Sequence, residues 1–238
     1  MKLTRSDTIG HIVARNVHAA AVFNYYGVDY YVHGKRTLER ACLEERAPIA
    51  EIMDQLFELK DEDDSREFLT MHLHALSTYI LRHHHKFTER KIVFIRKNLE
   101  RLTFHHGEPD PRLTALKKTF NELAVYLTVH MNHEEFIIFP FIDKMVKSGR
   151  PHENIKSPIG SMISDHEYEA LALKKLASLT NNYTAPAGAD YPLKMTYAAI
   201  KELQEDLKVH MHLENNILFP RAVDFATTTE SMVQYNDR

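Results

Sequence analysis

Two eleven-residue stretches of this chain are near copies of each other, 80 residues apart, and both place potential metal ligands one helical turn apart. His130-Met131-Asn132-His133-Glu134-Glu135-Phe136-Ile137-Ile138-Phe139-Pro140 recurs as His210-Met211-His212-Leu213-Glu214-Asn215-Asn216-Ile217-Leu218-Phe219-Pro220. A histidine and a glutamate four residues apart leave the same face of a helix. One imidazole and one carboxylate make half of a metal site, so two such halves imply a site for two ions.

The residues around each copy agree with a helix. Leu113, Leu116, Phe120, Leu123, Leu127, His130, Glu134, Ile137 and Phe141 follow one another by three or four positions. Ile200, Leu203, Leu207, His210, Glu214 and Ile217 repeat the pattern. This is the inner stripe of a bundle helix, with His and Glu at core positions. A buried carboxylate is costly without a compensating partner, so a cation or a proton must face it.

Two further segments carry the same stripe. Ile159, Met162, His166, Ala170, Leu173 and Ala177 form one; Leu69, Leu73, Leu76, Ile80, a histidine and Phe87 form the other. At 100° per residue, His83 and His84 lie equally far to either side of the stripe centre, and His85 points away. Periodicity alone leaves His83 and His84 open. Sparse Gly and Pro punctuate the chain at Gly107–Pro111, Gly149–Pro151 and Pro186–Pro192, and the acidic run Lys60–Ser65 reads as a linker. Four long helices result, at about 66–104, 112–147, 158–181 and 190–225, each with an inward histidine near mid-length. The expected fold is all-α: an up-down-up-down four-helix bundle over residues 63–238, preceded by a small helical domain over 1–62. In that first domain, helical patterns run from Ile9 to Ala21, Leu38 to Arg46 and Ile49 to Leu59, with the last starting at Pro48. Pro140 and Pro220 are expected to end or kink the two ligand-bearing helices.

The expected ligands are one histidine from each helix, with Glu134 and Glu214. Four imidazoles and two carboxylates without thiolate suit iron, and manganese next; a structural zinc rarely needs six protein ligands. A lone histidine on such a stripe is usually a hydrogen-bonded core residue, but four on four helices with two repeated glutamates outweigh that reading. Asp165 and Glu169 flank His166, placed either to orient an imidazole or to face water. His133 and His212 fall on stripe edges, beside the ligands or at the surface; His72, His74, His105, His106 and His152 read as solvated.

The net charge of −3 provides no field for nucleic acid. The longest apolar run, Phe136 to Ile142, is far short of the ~20 residues that span a bilayer. A polar start and a single cysteine, Cys42, fit a cytoplasmic protein without a disulfide framework.

At these residues the chain resembles the RIC family, hemerythrin-like di-iron proteins named for repair of iron centres. The resemblance runs over nearly the whole chain. It rests on His130–Pro140, Leu213–Pro220, Asp165-His166, Arg82-His83-His84, and Gly34–Leu38 in the N-terminal domain. Its register favours His84 over His83, giving the ligand set His84, His130, Glu134, His166, His210 and Glu214. The resemblance implies two non-haem irons with an oxo or hydroxo bridge, frequent dimerisation, and cytoplasmic repair of iron–sulfur clusters damaged by nitric oxide or peroxide. Iron donation or nitric oxide chemistry would carry that repair, rather than conventional enzymatic turnover. Nitric oxide, oxygen and damaged iron–sulfur proteins would be the partners. A hemerythrin-like gas sensor or store, and a nitric oxide or peroxide reductase, would use the same ligands. One departure stands out: where relatives carry Cys-Cys-Gly-Gly, this chain has Tyr31-Val32-His33-Gly34. The expectation for this domain is packing in place of thiol chemistry.

Overall fold

Apolar spacing and sparse Gly and Pro give helices throughout the computed structural model, which describes residues 3–59, 67–105, 110–150 and 154–236. Among these residues the only extended pairing is an isolated bridge between Thr8 and Thr37. The protein is all-α. The helices are α1 (Ile9–Arg15), α2 (Ala19–Tyr25), α3 (Leu38–Glu44), α4 (Ile49–Glu58), α5 (Glu67–Thr70), α6 (Leu73–Ile80), α7 (Lys86–His105), α8 (Pro111–His133), α9 (Phe139–Ser148), α10 (Lys156–Leu179), α11 (Tyr191–Leu213) and α12 (Phe219–Asn236). Among the described residues, three single π-turns, Leu81–His85, Glu134–Ile138 and Glu214–Leu218, join α6 to α7, α8 to α9 and α11 to α12. None of the described helices is long and apolar enough to cross a membrane.

The chain divides into two compact units. The first comprises Met1–Ser77, Ile142–Lys156 and Val209–Arg238. Its N-terminal part is stitched by backbone bonds from Ile9 N to Arg36 O (3.0 Å) and from Gly10 N to Gly34 O (2.8 Å). Thr37 caps α3, its hydroxyl accepting from the Arg40 amide. The Asp29 carboxylate accepts the amides of Tyr31 (3.2 Å) and Val32 (3.0 Å), holding that turn. The single helical pattern expected from Ile9 to Ala21 is broken at Asn16–His18 into α1 and α2. Ile9, Phe23, Tyr30, Leu38 and Ile52 form the buried centre of this part.

The second unit comprises Thr78–Phe141 and Ser157–Lys208. Cross-helix pairs fix its order: Arg96–Asn121 and Lys117–Thr103 tie α7 to α8. Tyr126–Asp165 ties α8 to α10, and Lys91–Glu202 ties α7 to α11. In the doubly tied pair, α7 and α8, residue numbers run oppositely, as in an up-down bundle. Leu99, Leu116, Phe120, Leu127, Leu176 and Leu203 fill it, each essentially without exposure.

The π-turns correct the expected registers. A π-turn inserts one extra residue, so every later side chain is displaced to the next position. Along α8 the stripe holds to Glu134. Beyond it Ile137 is 55% exposed, while Ile138, Ile142 and Met145 point inward in place of Ile137 and Phe141. After Leu81–His85, Thr88, Ile92, Ile95 and Leu99 are buried, and Phe87 is only half-buried. Pro140 and Pro220 do not end a helix: each is the second residue after a π-turn, and α9 and α12 continue through them. The widened turn displaces the preceding carbonyls that a proline ring would otherwise strike. The expected linker Lys60–Ser65, the loop residues Gly107–Pro109 and Pro151, and the histidines His106 and His152 lie outside the described residues.

Candidate metal centre

Each glutamate of the repeated motif opens a π-turn directly after its histidine-bearing helix, and the chain then continues as helix. In the second unit, Glu134 is fully buried with its two oxygens turned to different histidines. Oε2 lies 3.3 Å from His85 Nε2, and Oε1 lies 3.3 Å from His130 Nε2. His166 Nε2 is 3.1 Å from His130 Nε2. The candidate ligand atoms of His130, Glu134 and His166 all lie within 4.8 Å of one another. In the first unit, His210 Nε2 lies 3.2 Å from Glu214 Oε2, both side chains without exposure.

The far sides of the rings are held by carboxylates. His85 Nδ1 meets Glu135 Oε1 at 2.9 Å, and His130 Nδ1 meets Asp165 Oδ2 at 3.4 Å. Tyr126 donates to the other Asp165 oxygen at 2.6 Å. Burial first, then the Asp165 carboxylate, pushes the Tyr126 phenol well above its usual range, so it stays protonated and a donor. A carboxylate on Nδ1 fixes the proton there and leaves the Nε2 lone pair free to ligate. Those lone pairs then face the oxygens of Glu134, an arrangement that calls for a cation. Donor atoms each about 2.1 Å from one ion lie roughly 3–4 Å apart. The separations of 3.1 to 3.3 Å among His85, His130, Glu134 and His166 fall in that window.

Residues 76–222 match the model of the hemerythrin HHE cation binding domain. Residues 5–60 match ScdA_N, a domain of unknown function also called DUF542. An Enterobacter protein named iron-sulfur cluster repair protein YtfE is 32% identical over 222 residues, covering 92% of this chain and 97% of that protein. Proteins of the same name from Citrobacter koseri and Escherichia coli are 31% identical over the same shares.

The chain belongs to the RIC family of hemerythrin-like proteins.

Within this RIC protein the donor set fits the cation-binding domain it matches: buried imidazoles and carboxylates, with no sulfur among the candidate ligand groups. Five expected ligands, His130, Glu134, His166, His210 and Glu214, are buried in such groups. The sixth, His84, lies outside these groups. His84 is also buried, but its Nδ1 faces Asp206 Oδ1 at 3.0 Å, and it is His85, expected to point away, that reaches Glu134. The π-turn over Leu81–His85 delays the inward position by one residue. His83 is exposed and stacks on Tyr79.

Three other residues gained roles that spacing did not disclose. Glu135 orients His85, although it lies one residue off the ideal stripe. Asp206 had no signal in the sequence. Glu169 is fully buried, 3.8 Å from His130 Nε2, and does not face water. Of the stripe-edge histidines, His212 is buried and His133 half-buried. His72 and His74 are exposed as expected, His74 pairing with Asp143 at 3.0 Å.

Proposed function

We propose that this chain is a two-iron protein of the nitrosative and oxidative stress response, acting in the cytoplasm to support repair of damaged iron–sulfur clusters. Residues 63–238 carry the iron, and residues 1–62 form the accessory domain. The observation that carries the reading is Glu134, a fully buried carboxylate with one oxygen toward His85 and the other toward His130. A carboxylate so placed suits a bridge between two cations. The irons would be held by His85, His130, Glu134, His166, His210 and Glu214, all within the hemerythrin match. The name printed for the relatives, iron-sulfur cluster repair protein, supplies the physiological context.

Bound there, iron would supply one-electron chemistry and coordination positions for small diatomic ligands such as nitric oxide and oxygen. The chain's own residues do the rest. Burial of His85, His130 and Glu134 excludes bulk water. Glu135 and Asp165 hold the imidazole protons on Nδ1, keeping Nε2 available. The protonated Tyr126 fixes Asp165 in turn. Tyr31 and Val32 occupy the place of the relatives' cysteine pair, so thiol chemistry is not assigned to this domain.

Anaerobic purification after iron-supplied expression should give about two irons per chain, with absorption bands that respond to nitric oxide. The loaded protein should restore a cluster enzyme inactivated by nitric oxide, whereas the metal-free protein should not. One zinc and no iron would sink the reading. Two irons without restored cluster activity would leave a gas-binding protein and remove the repair role.

A further inference from the structure

Glu169 has a setting that a bundle core does not require. It lies on α10 three residues after His166, on the same helical face. Its side chain is wholly buried, with Oε1 3.8 Å from His130 Nε2. That nitrogen is also 3.1 Å from His166 Nε2 and 3.3 Å from Glu134 Oε1. Within the second unit, His166, Glu134 and Glu169 therefore all approach His130 Nε2. A separation of 3.8 Å is too long for a hydrogen bond. It lies within the roughly 3–4 Å expected between donor atoms that share an ion. Placing a second buried carboxylate near Glu134 costs several kcal/mol unless a cation or a proton neutralises it. An alanine or leucine would fill this core position without that cost.

We propose that Glu169 is a further metal-binding carboxylate serving the ion at His130 and His166, and that it makes the two iron positions unequal. The inference rests on the two-iron reading above. On the other side of Glu134, His85 is backed by Glu135 at Nδ1, behind the ring and turned away from the ligating nitrogen. The extra anionic oxygen therefore falls to one ion only. Anionic oxygen donors hold a hard cation more firmly. The ion at His130 and His166 is the retained one, and the ion on the His85 side leaves first. For a protein that gives up iron, Glu169 would set how much is given: one ion readily, the second reluctantly.

The test is iron release from the full-length loaded protein into excess ferrous chelator under reducing, anaerobic conditions, comparing wild type with Glu169→Gln and Glu169→Ala. Wild type should release in two phases of equal amplitude. Both variants should speed the slow phase at least tenfold and leave the fast phase unchanged. The Mössbauer spectrum should show two iron environments in wild type that converge in the variants. Glu169→Gln keeps the side-chain volume and decides the matter if the alanine variant folds poorly by circular dichroism. An unchanged slow phase in Glu169→Gln overturns the proposal, as does single-phase release from wild type carrying two irons. Simultaneous loss of both irons from both variants also overturns it, because Glu169 would then serve the fold. A wild type carrying one iron defeats the two-iron reading and the claim of unequal positions together. Glu169 as a ligand is then judged on that ion alone: faster release in Glu169→Gln keeps it, and an unchanged rate removes it.

Discussion

The two π-turns that carry Glu134 and Glu214 share a motif and a backbone, yet they are supported in opposite ways. After Glu134, the Glu135 side chain orients His85, and Phe136 and Ile137 are 70% and 55% exposed. After Glu214, two asparagines replace Glu135 and Phe136. Asn215 donates to the Tyr31 carbonyl, and Asn216 to the Tyr30 carbonyl and His212 Nδ1, each at 3.0 Å. Ile217 and Leu218 are buried. Burial pushes the His212 pKa down to about 3, so the ring is neutral and can accept this bond. Gly10 and Gly34 leave space for the Asn216 amide, whose Oδ1 would lie 2.5 Å and 2.1 Å from a Cβ added at either position. One copy is tuned by a charge; the other is clamped by the N-terminal segment. The segment that lacks the cysteine pair thus offers its backbone carbonyls to the turn beginning at Glu214.

The largest expected effect tests what the copies share. Glu134→Ala or Glu214→Ala should remove the two-iron content, leaving less than one iron per chain, while circular dichroism stays helical. Retention of both irons in either variant would show that the glutamate replaced is not needed to hold them. His85→Ala should follow, with metal affinity at least tenfold weaker, and His84→Ala should cost much less. The reverse order would mean that the π-turn does not set the register. Glu135→Ala comes next. The ideal stripe makes it dispensable, but its contact with His85 predicts about a 10–100-fold loss in affinity. Asn215→Ala, at the equivalent place in the other copy, should alter stability more than affinity. Equal behaviour of these two variants in metal titration and thermal unfolding would erase the contrast.

The clamp itself is tested at Gly34. A methyl group there drives the Asn216 amide from two hydrogen bonds, for a cost of about 1–3 kcal/mol. Asn216→Ala should cost a similar amount. Chemical unfolding should record both losses, with the iron content of folded chains unchanged. A wild-type midpoint in Gly34→Ala would show that Asn216 relocates freely and that the clamp contributes little.

The bundle and the Glu134 half-site were legible because His and Glu replaced apolar residues on an otherwise regular stripe. The π-turns were missed because a constant 100° rotation was carried through them. Their traces were nevertheless in the sequence. Read backward from Leu99, the buried positions Ile95, Ile92 and Thr88 lead to His85; read forward from Leu73, Leu76 and Ile80 lead to His83 or His84. The two readings disagree by about one residue, which is what a π-turn inserts. Pro140 and Pro220, each six residues after a glutamate in a helix that does not stop, mark the same irregularity. Asp206 and the Asn216 cradle were not legible, because each depends on residues far away in the chain.

The smallest expected effect concerns the N-terminal segment's remaining reactive side chains. Cys42 is buried in α3, and desolvation raises its thiol pKa. A raised pKa keeps the neutral thiol at physiological pH, whereas the thiolate is the nucleophile and the metal ligand. His33 is about half exposed, its Nδ1 turned to Asp29 Oδ2 at 2.7 Å within the same turn. Neither has the setting of a group that replaces a vicinal cysteine pair. Cys42→Ala, which avoids burying a serine hydroxyl, and His33→Ala should leave iron loading, iron release and the response to nitric oxide at wild-type levels. Alkylation of Cys42 in the folded protein should be slow at neutral pH and accelerate only above the ordinary thiol range. Rapid alkylation at neutral pH, or loss of iron release in Cys42→Ala with iron content intact, would show that the segment kept a chemical role. The contrast between a charge-tuned copy and a mechanically clamped copy would then have to give way to one in which the clamp is also reactive.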